Sequence, residues 1–168
     1  MGKQLTMRRA NLDNLPAPAV PDGFTLRDYR DGDDAEWAGF VAEYCTAPFA
    51  EHMKSHRFYK PEKVKFICEG DRPVATATAW DDENDGSLGV VHMVGAAPEY
   101  RGRGLGSAVL IAVLHHMKHS GKTAAILTTD DHRLPAIKMY LRLGFEPVVT
   151  DAEQADRWGK IRENIKTT

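Results

Sequence analysis

Cysteine is scarce in this sequence. Cys45 and Cys68 are the only two in 168 residues. They are too far apart for a C-x-x-C motif and too few for a disulfide framework, so reduced thiols are expected. Long apolar runs are missing too. No stretch approaches the length of a membrane span, and none near the start has the length of a signal-peptide core, so the expectation is a cytoplasmic protein with no membrane partner. Charge of one sign is also lacking. Lys and Arg number 22 against 24 Asp and Glu, a net charge of −2, which argues against a dedicated nucleic-acid binder. No repeat runs through the chain. What remains, 42% hydrophobic and 27% charged residues, is the composition of a globular protein, and the length suits one domain.

Proline punctuates the first segment. Pro16, Pro18 and Pro21 favour extended chain, so residues 1–23 are expected as an arm lying on the domain or fraying from it, with the domain itself over 24–149. FTLRDYR alternates as a strand does, and DDAEWAGFVAEYC has helical spacing with Asp33 or Asp34 available as its N-cap. A short helix is expected after Pro48. KVKFICE and PVATATAW are β-rich runs on either side of Gly70, Asp71 and Arg72, the signature of a hairpin. SLGVVHMVGAAP is apolar on both faces, as a central strand must be, and Gly95 within it marks a bulge or a close backbone approach.

LGSAVLIAVLHHMKH reads as a largely buried helix closed at Gly121, TAAILTT as a strand, RLPAIKMYLRL as a helix closed at Gly144, and FEPVVT as a last strand. Over 150–168, Asp151 and Gln154 have the spacing of a reciprocal N-terminal cap, and Ala155, Trp158, Ile161 and Ile165 form one apolar stripe. That helix is expected to dock on its own domain or on a second subunit, the latter making a homodimer.

The run YRGRGLGSAVL, Tyr100 to Leu110, is the densest cluster of glycine in the chain. Gly102, Gly104 and Gly106 allow backbone conformations closed to other residues and leave the amides uncovered. At the start of a helix, such amides and the positive end of the helix dipole favour an anion, most often phosphate, with Arg101 and Arg103 adding cationic reach. A flexible turn with two solvated arginines is the alternative from glycine content alone. The dinucleotide fingerprint needs G-x-G-x-x-G, whereas the spacing here is G-x-G-x-G. SGKT at Ser120 to Thr123 has His116 where a phosphate loop needs glycine.

The pattern left is R-x-x-G-x-G, filled by Arg101, Gly104 and Gly106 directly after a two-faced apolar strand. VGAAPEYRGRGLGSAVL, followed about thirty residues later by AIKMYLRLGFEPV, resembles the GNAT superfamily of acyl-CoA-dependent N-acyltransferases over roughly Phe24 to Val149. The resemblance implies an α/β fold in which helices flank a central mixed, mostly antiparallel sheet, here with an N-terminal arm and an extra C-terminal helix. It implies acetyl-CoA as co-substrate, with the coenzyme pyrophosphate on the amides of Arg101, Gly102, Arg103, Gly104, Leu105, Gly106 and Ser107. It also implies that backbone groups at Val94 and Ala96 pair with the pantetheine arm, Gly95 allowing the close approach. The expected function is acetyl transfer to a primary amine, a small molecule being favoured. The alternative is a non-catalytic acyl-CoA-binding sensor or interaction domain.

Transfer from a thioester to an amine asks for a neutral nucleophile, an oxyanion stabiliser and an acid for the departing thiolate. Tyr140 stands where the family's A-I-x-x-Y pattern places its tyrosine, so the resemblance makes its hydroxyl the acid, against the alternative of a packing residue. A backbone N–H of the Val94 to Ala96 segment is the natural oxyanion donor. For the base, His92 has a suitable ordinary pKa, and a carboxylate of the Asp81 to Asp85 loop, or Asp130 or Asp131, is its rival. The same carboxylates form an acidic wall expected to draw a cationic amine. Where the family's pattern has asparagine, this chain has Arg133. No metal is expected. His115 and His119 lie one helical turn apart but lack the glutamate of H-E-x-x-H and a third ligand.

Overall fold

The computed structural model describes residues 4–167. Its elements are β1 (Leu5–Arg9), β2 (Phe24–Asp28), α1 (Asp34–Val41), β3 (Val64–Glu69), β4 (Arg72–Asp81), β5 (Leu88–Ala96), α2 (Leu105–His119), β6 (Ala124–Thr129), α3 (Leu134–Arg142), β7 (Glu146–Val148) and α4 (Ala152–Thr167). A short π-helical turn, Ala50–Lys54, follows α1. The strands form one seven-stranded sheet in the order β2-β3-β4-β5-β6-β1-β7. All neighbours are antiparallel except β5 and β6.

Every side chain of β4 from Pro73 to Trp80 is buried, so both faces of the sheet are covered at its centre. The helices that pack on β4 are α1 and α2. Of these, α2 is apolar nearly all round and buries Leu105, Val109, Leu110, Val113, Leu114 and Met117 among others. A helix with that pattern has to lie inside the domain.

The N-terminal segment departs from expectation. Leu5 and Met7 are fully buried in β1, which sits inside the sheet between β6 and β7 and pairs with both. Residues 5–9 are therefore a structural strand and not part of an arm. The prolines that suggested extended chain come later, and that part does lie along the domain: Leu12 N–H donates to the Thr123 carbonyl, and the His115 Nε2 meets the Pro16 carbonyl at 2.8 Å. Five residues of alternation were too short a signal beside three prolines.

Asp33 also behaves differently from a capping residue. It occupies the N-cap position of α1 but makes no cap bond. Its carboxylate turns back to accept from the Arg30 amide and from both terminal nitrogens of Arg27. At the other end of the chain the cap is real. Asp151 Oδ1 accepts from the Gln154 amide, and Gln154 Oε1 accepts from the Thr150 amide, one residue earlier than a strict capping box. Trp158 and Ile161 are buried against the rest of the chain, α4 packs on α3, and Arg157 pairs with Asp131. Of the apolar stripe, Trp158 and Ile161 are thus covered by the chain's own fold, Ile165 is half-buried and Ala155 is exposed.

Candidate active site

β5 and β6 are parallel neighbours only at Leu88–Val90, opposite Ala124–Ile126. Beyond Val90 the two strands part, and the gap between them is a cleft of about 210 Å³ lined by Gln4, Tyr44, Val91 to Val94, Leu127, Thr128, Arg133 and Tyr140. A wedge opened at the centre of a sheet leaves one edge of β5 without a ladder partner, a ready template for an extended ligand.

The same stretch of β5 is irregular on its other edge. Across β4, Thr76 faces Gly95 and Thr78 faces His92, so Met93 and Val94 oppose a single residue. This is a β-bulge, and Met93 is held at φ +49°, in the left-handed region. Of the two readings the sequence allowed at Gly95, a bulge or a close backbone approach, the bulge falls elsewhere, because Gly95 keeps its partner. Its missing side chain answers a different demand: a Cβ there would lie 2.6 Å from the Phe40 carbonyl oxygen and 3.0 Å from the Tyr44 hydroxyl. The close approach at Gly95 comes from the end of α1. Gly95→Ala should therefore destabilise the fold by roughly 1–3 kcal/mol, seen as a lower midpoint in thermal unfolding. The bulge also breaks the two-residue alternation, so the even spacing of His92 and Val94 along the sequence does not by itself put their side chains on one face.

α1 ends at Val41, four residues short of the helix read from the sequence. The chain turns, and the Tyr44 hydroxyl donates to the Val94 carbonyl at 2.6 Å. Arg133 lies over the Tyr44 ring at 4.1 Å. Tyr44 lines the cleft with no sequence signal to mark it, since its role depends on a hydrogen bond fifty residues away.

In the loop between β5 and α2, Gly102 and Gly104 have φ of +78° and +80°, the left-handed region that only glycine enters freely. No side chain caps α2. Among the described residues, the amides of Gly102 to Ser107 donate to no protein acceptor. Free amides at the start of a fifteen-residue helix make an anion cradle, and a phosphate group fits it. Gly106 serves packing as well, because a Cβ there would press on the Met139 sulfur of α3 at 3.3 Å. Arg101 and Arg103 reach less freely than the sequence suggests. Arg101 donates to Glu43 at 2.9 Å, holding that carboxyl below its usual range. Arg103 packs on the Tyr100 ring and donates to the Glu99 carbonyl. The Arg101–Glu43 pair is exposed, and such pairs exchange readily for a competing anion.

Tyr140 is almost fully buried on the cleft wall, edge-on to Phe145, and burial pushes its pKa up to about 12. Among the described residues its hydroxyl makes no hydrogen bond. His92 also lines the cleft, and burial with His52 and His56 nearby lowers its pKa to about 4, well below the value expected of a free imidazole. Its ring lies nearly parallel to the Trp80 indole at 5.5 Å. The rival bases are otherwise engaged. Asp81 bridges Lys63 and Lys122, Glu83 pairs with Arg57, Asp131 pairs with Arg157, and Asp130 faces Gln4. Asp82 and Asp85 accept backbone amides within their own turn. The cleft lining contains no carboxylate, so the expected acidic wall is spent on local pairing. No cluster of three or more His, Cys, Asp or Glu able to hold a metal occurs among the described residues.

A mixed sheet parted at its centre and a glycine-rich start to the helix that follows β5 agree with an N-acyltransferase fold. The chain belongs to the acetyltransferase (GNAT) family, whose model matches residues 29–145. Among curated relatives, the mycothiol acetyltransferase of Thermobispora bispora is 31% identical over 157 residues, covering 83% of this chain and 52% of that protein. The enzyme of the same name from Thermomonospora curvata is 31% identical, covering 88% and 52%. The chain thus spans about half the length of the curated relatives it matches. Among solved structures, a GCN5-related N-acetyltransferase from Sphaerobacter thermophilus superposes with a TM-score of 0.71 at 24% identity, over 86% of this chain and 48% of that one. No helix among the described residues is long and apolar enough to cross a membrane.

Proposed function

We propose that this chain transfers the acetyl group of acetyl-CoA to a primary amine of a small molecule by direct attack within a ternary complex. The observation that carries the reading is the parted β5–β6 wedge with the unengaged Tyr140 hydroxyl on its wall, together with the unengaged amides of the loop between β5 and α2. Acetyl-CoA supplies an activated thioester. The amides of Gly102 to Ser107 hold the pyrophosphate, with Arg101 released from Glu43 to join them. The open edge of β5 at Val94 and Ala96 pairs with the pantetheine arm, the Val94 carbonyl having a second lone pair beside its bond to Tyr44. The amide of Val94, which stands at the bulge outside the register with β4, is the oxyanion donor. Tyr140 donates to the departing sulfur. His92, neutral throughout the neutral pH range, takes the proton of the attacking amine.

The names of the curated relatives support a small-molecule acceptor. A cleft without a carboxylate gives no counter-charge to a polycation, which favours a singly charged or neutral amine. The test is thiol release from acetyl-CoA against amino sugars, amino acids, polyamines and short peptides. Turnover with one acceptor class is expected; tight acetyl-CoA binding without turnover on any of them would instead make the chain an acyl-CoA-binding module.

A further inference from the structure

His52, in the π-helical turn, and His92, on β5, are forty residues apart in sequence, and their Nε2 atoms are 3.1 Å apart. The ring planes differ by 12° and the centroids are separated by 5.3 Å. That nitrogen separation is close to the smallest that centroids so placed allow. The bond must therefore run along the line of centroids, in the plane of both rings, as a straight N–H···N contact. Trp80 lies against His92 and Trp37 sits 6.1 Å from His52, so packing fixes both rings. One ring must donate and the other accept, and each keeps its Nδ1 free of any partner among the described residues. His92 meets the cleft, whereas His52 is half-buried on a segment flanked by exposed Glu51 and Lys54.

We propose that His52 and His92 form a two-imidazole proton relay that carries the acceptor amine's proton from the cleft to water. The proposal rests on the reading of His92 as the base. An acceptor arriving as an ammonium gives one proton to His92 Nδ1 and becomes the free amine whose lone pair attacks. As that N–H bond forms, the hydrogen on His92 Nε2 passes to His52 Nε2, and His52 releases the hydrogen of its Nδ1 to water. In this step one N–H bond is lost at the ammonium, one O–H bond is gained in solvent, and no charge stays in the cleft; the second N–H proton, shed as the amide forms, replaces the proton that Tyr140 gives to the departing thiolate. The rings regain their starting tautomers by exchange with water after the products leave.

A relay answers a specific difficulty of the site. A lone His92 would have to hold a full positive charge beside the titratable His52 and His56 and against the apolar Trp80, the environment that lowers its affinity for protons. Passing the charge on as it arrives avoids that state. His56, packed on the other side of Trp80 at 5.0 Å, has no hydrogen bond to the pair and stands outside the chain of transfer.

The experiment uses the full chain with acetyl-CoA and whichever amine in the panel is acetylated fastest. His52→Ala should lower kcat at least about tenfold, leave KM for acetyl-CoA unchanged, and regain activity with added imidazole in proportion to its free-base fraction. His52→Phe, which fills the space, should lose the same activity and not be rescued. In mixtures of light and heavy water, the wild-type rate should fall along a curve that requires more than one moving proton, and the His52→Phe rate along a straight line. If His92→Phe turns over like wild type, the base reading itself fails and the relay with it. If His92→Phe is slow but both His52 variants match wild type, or are slow without rescue and with an unchanged isotope curve, His92 acts alone and the relay is overturned.

Discussion

Replacing Tyr140 by phenylalanine is expected to slow the acyl-transfer step by roughly 10²- to 10⁴-fold, while the affinity for acetyl-CoA stays nearly unchanged. The substitution removes one hydroxyl from a cleft wall and keeps the ring that packs edge-on against Phe145. Burial raises the phenol's pKa to about 12, so the group is protonated and able to donate throughout the neutral range. A phenol that weak does not hand a proton outright to a thiolate in water, whose conjugate acid has a pKa of about 8.5. The departing thiolate is desolvated in the same cleft, however, and its basicity rises with that of the phenol. The effect should therefore fall toward the lower end of the range. The pH dependence follows with its sign: the donor is lost only as pH rises through about 12, so Tyr140 should produce no alkaline decline in rate up to pH values where the protein remains folded. Single-turnover kinetics with both proteins checks this, and an unchanged chemical step in the variant would leave Tyr140 a packing residue.

Gly104→Asp is expected to abolish acetyl-CoA binding in calorimetry. Two effects act together. The φ of +80° at Gly104 is strained for any residue with a Cβ, so the N-cap conformation that aims the amides is itself disfavoured. The new carboxylate also enters the cradle as a covalently attached anion where a phosphate would bind. No neighbour lies within 4 Å of a Cβ at this position, so the variant should fold, and the loss should be confined to the ligand. Gly104→Ala separates the two effects. It retains the strain without the charge and should weaken binding less. Wild-type affinity in the aspartate variant would place the pyrophosphate elsewhere.

Several features of this site are written in short stretches of chain and were legible there. The glycine spacing after a two-faced apolar strand gave the cradle, because left-handed backbone and bare amides are properties of residues 101–107 themselves. Tyr140, which the structure seats on the cleft wall, was singled out through its place in a five-residue pattern, and the apolar helix of residues 105–119 through its composition. His92 was named as a base, but its depressed pKa was invisible, because it depends on burial in the folded chain and on His52 and His56 being brought beside it.

The remaining features are long-range. β1 belongs to the sheet because β6 and β7 supply both its edges, more than a hundred residues downstream, and five alternating residues carry too little information to announce that. Gly95 suggested a close approach in the sequence, yet only the packed chain revealed that the approaching group is the Phe40 carbonyl. The acidic loop read as an open wall until folding delivered Lys63, Lys122 and Arg57 to it. By itself the sequence determined the left-handed glycine turns and uncapped amides of residues 102–107 and the cap at Asp151, because those are local conformational properties. The tertiary structure decided the parting of β5 from β6, the seat of Tyr44 and the meeting of His52 with His92, because each needs distant segments held at hydrogen-bonding distance by a core that no single stretch encodes.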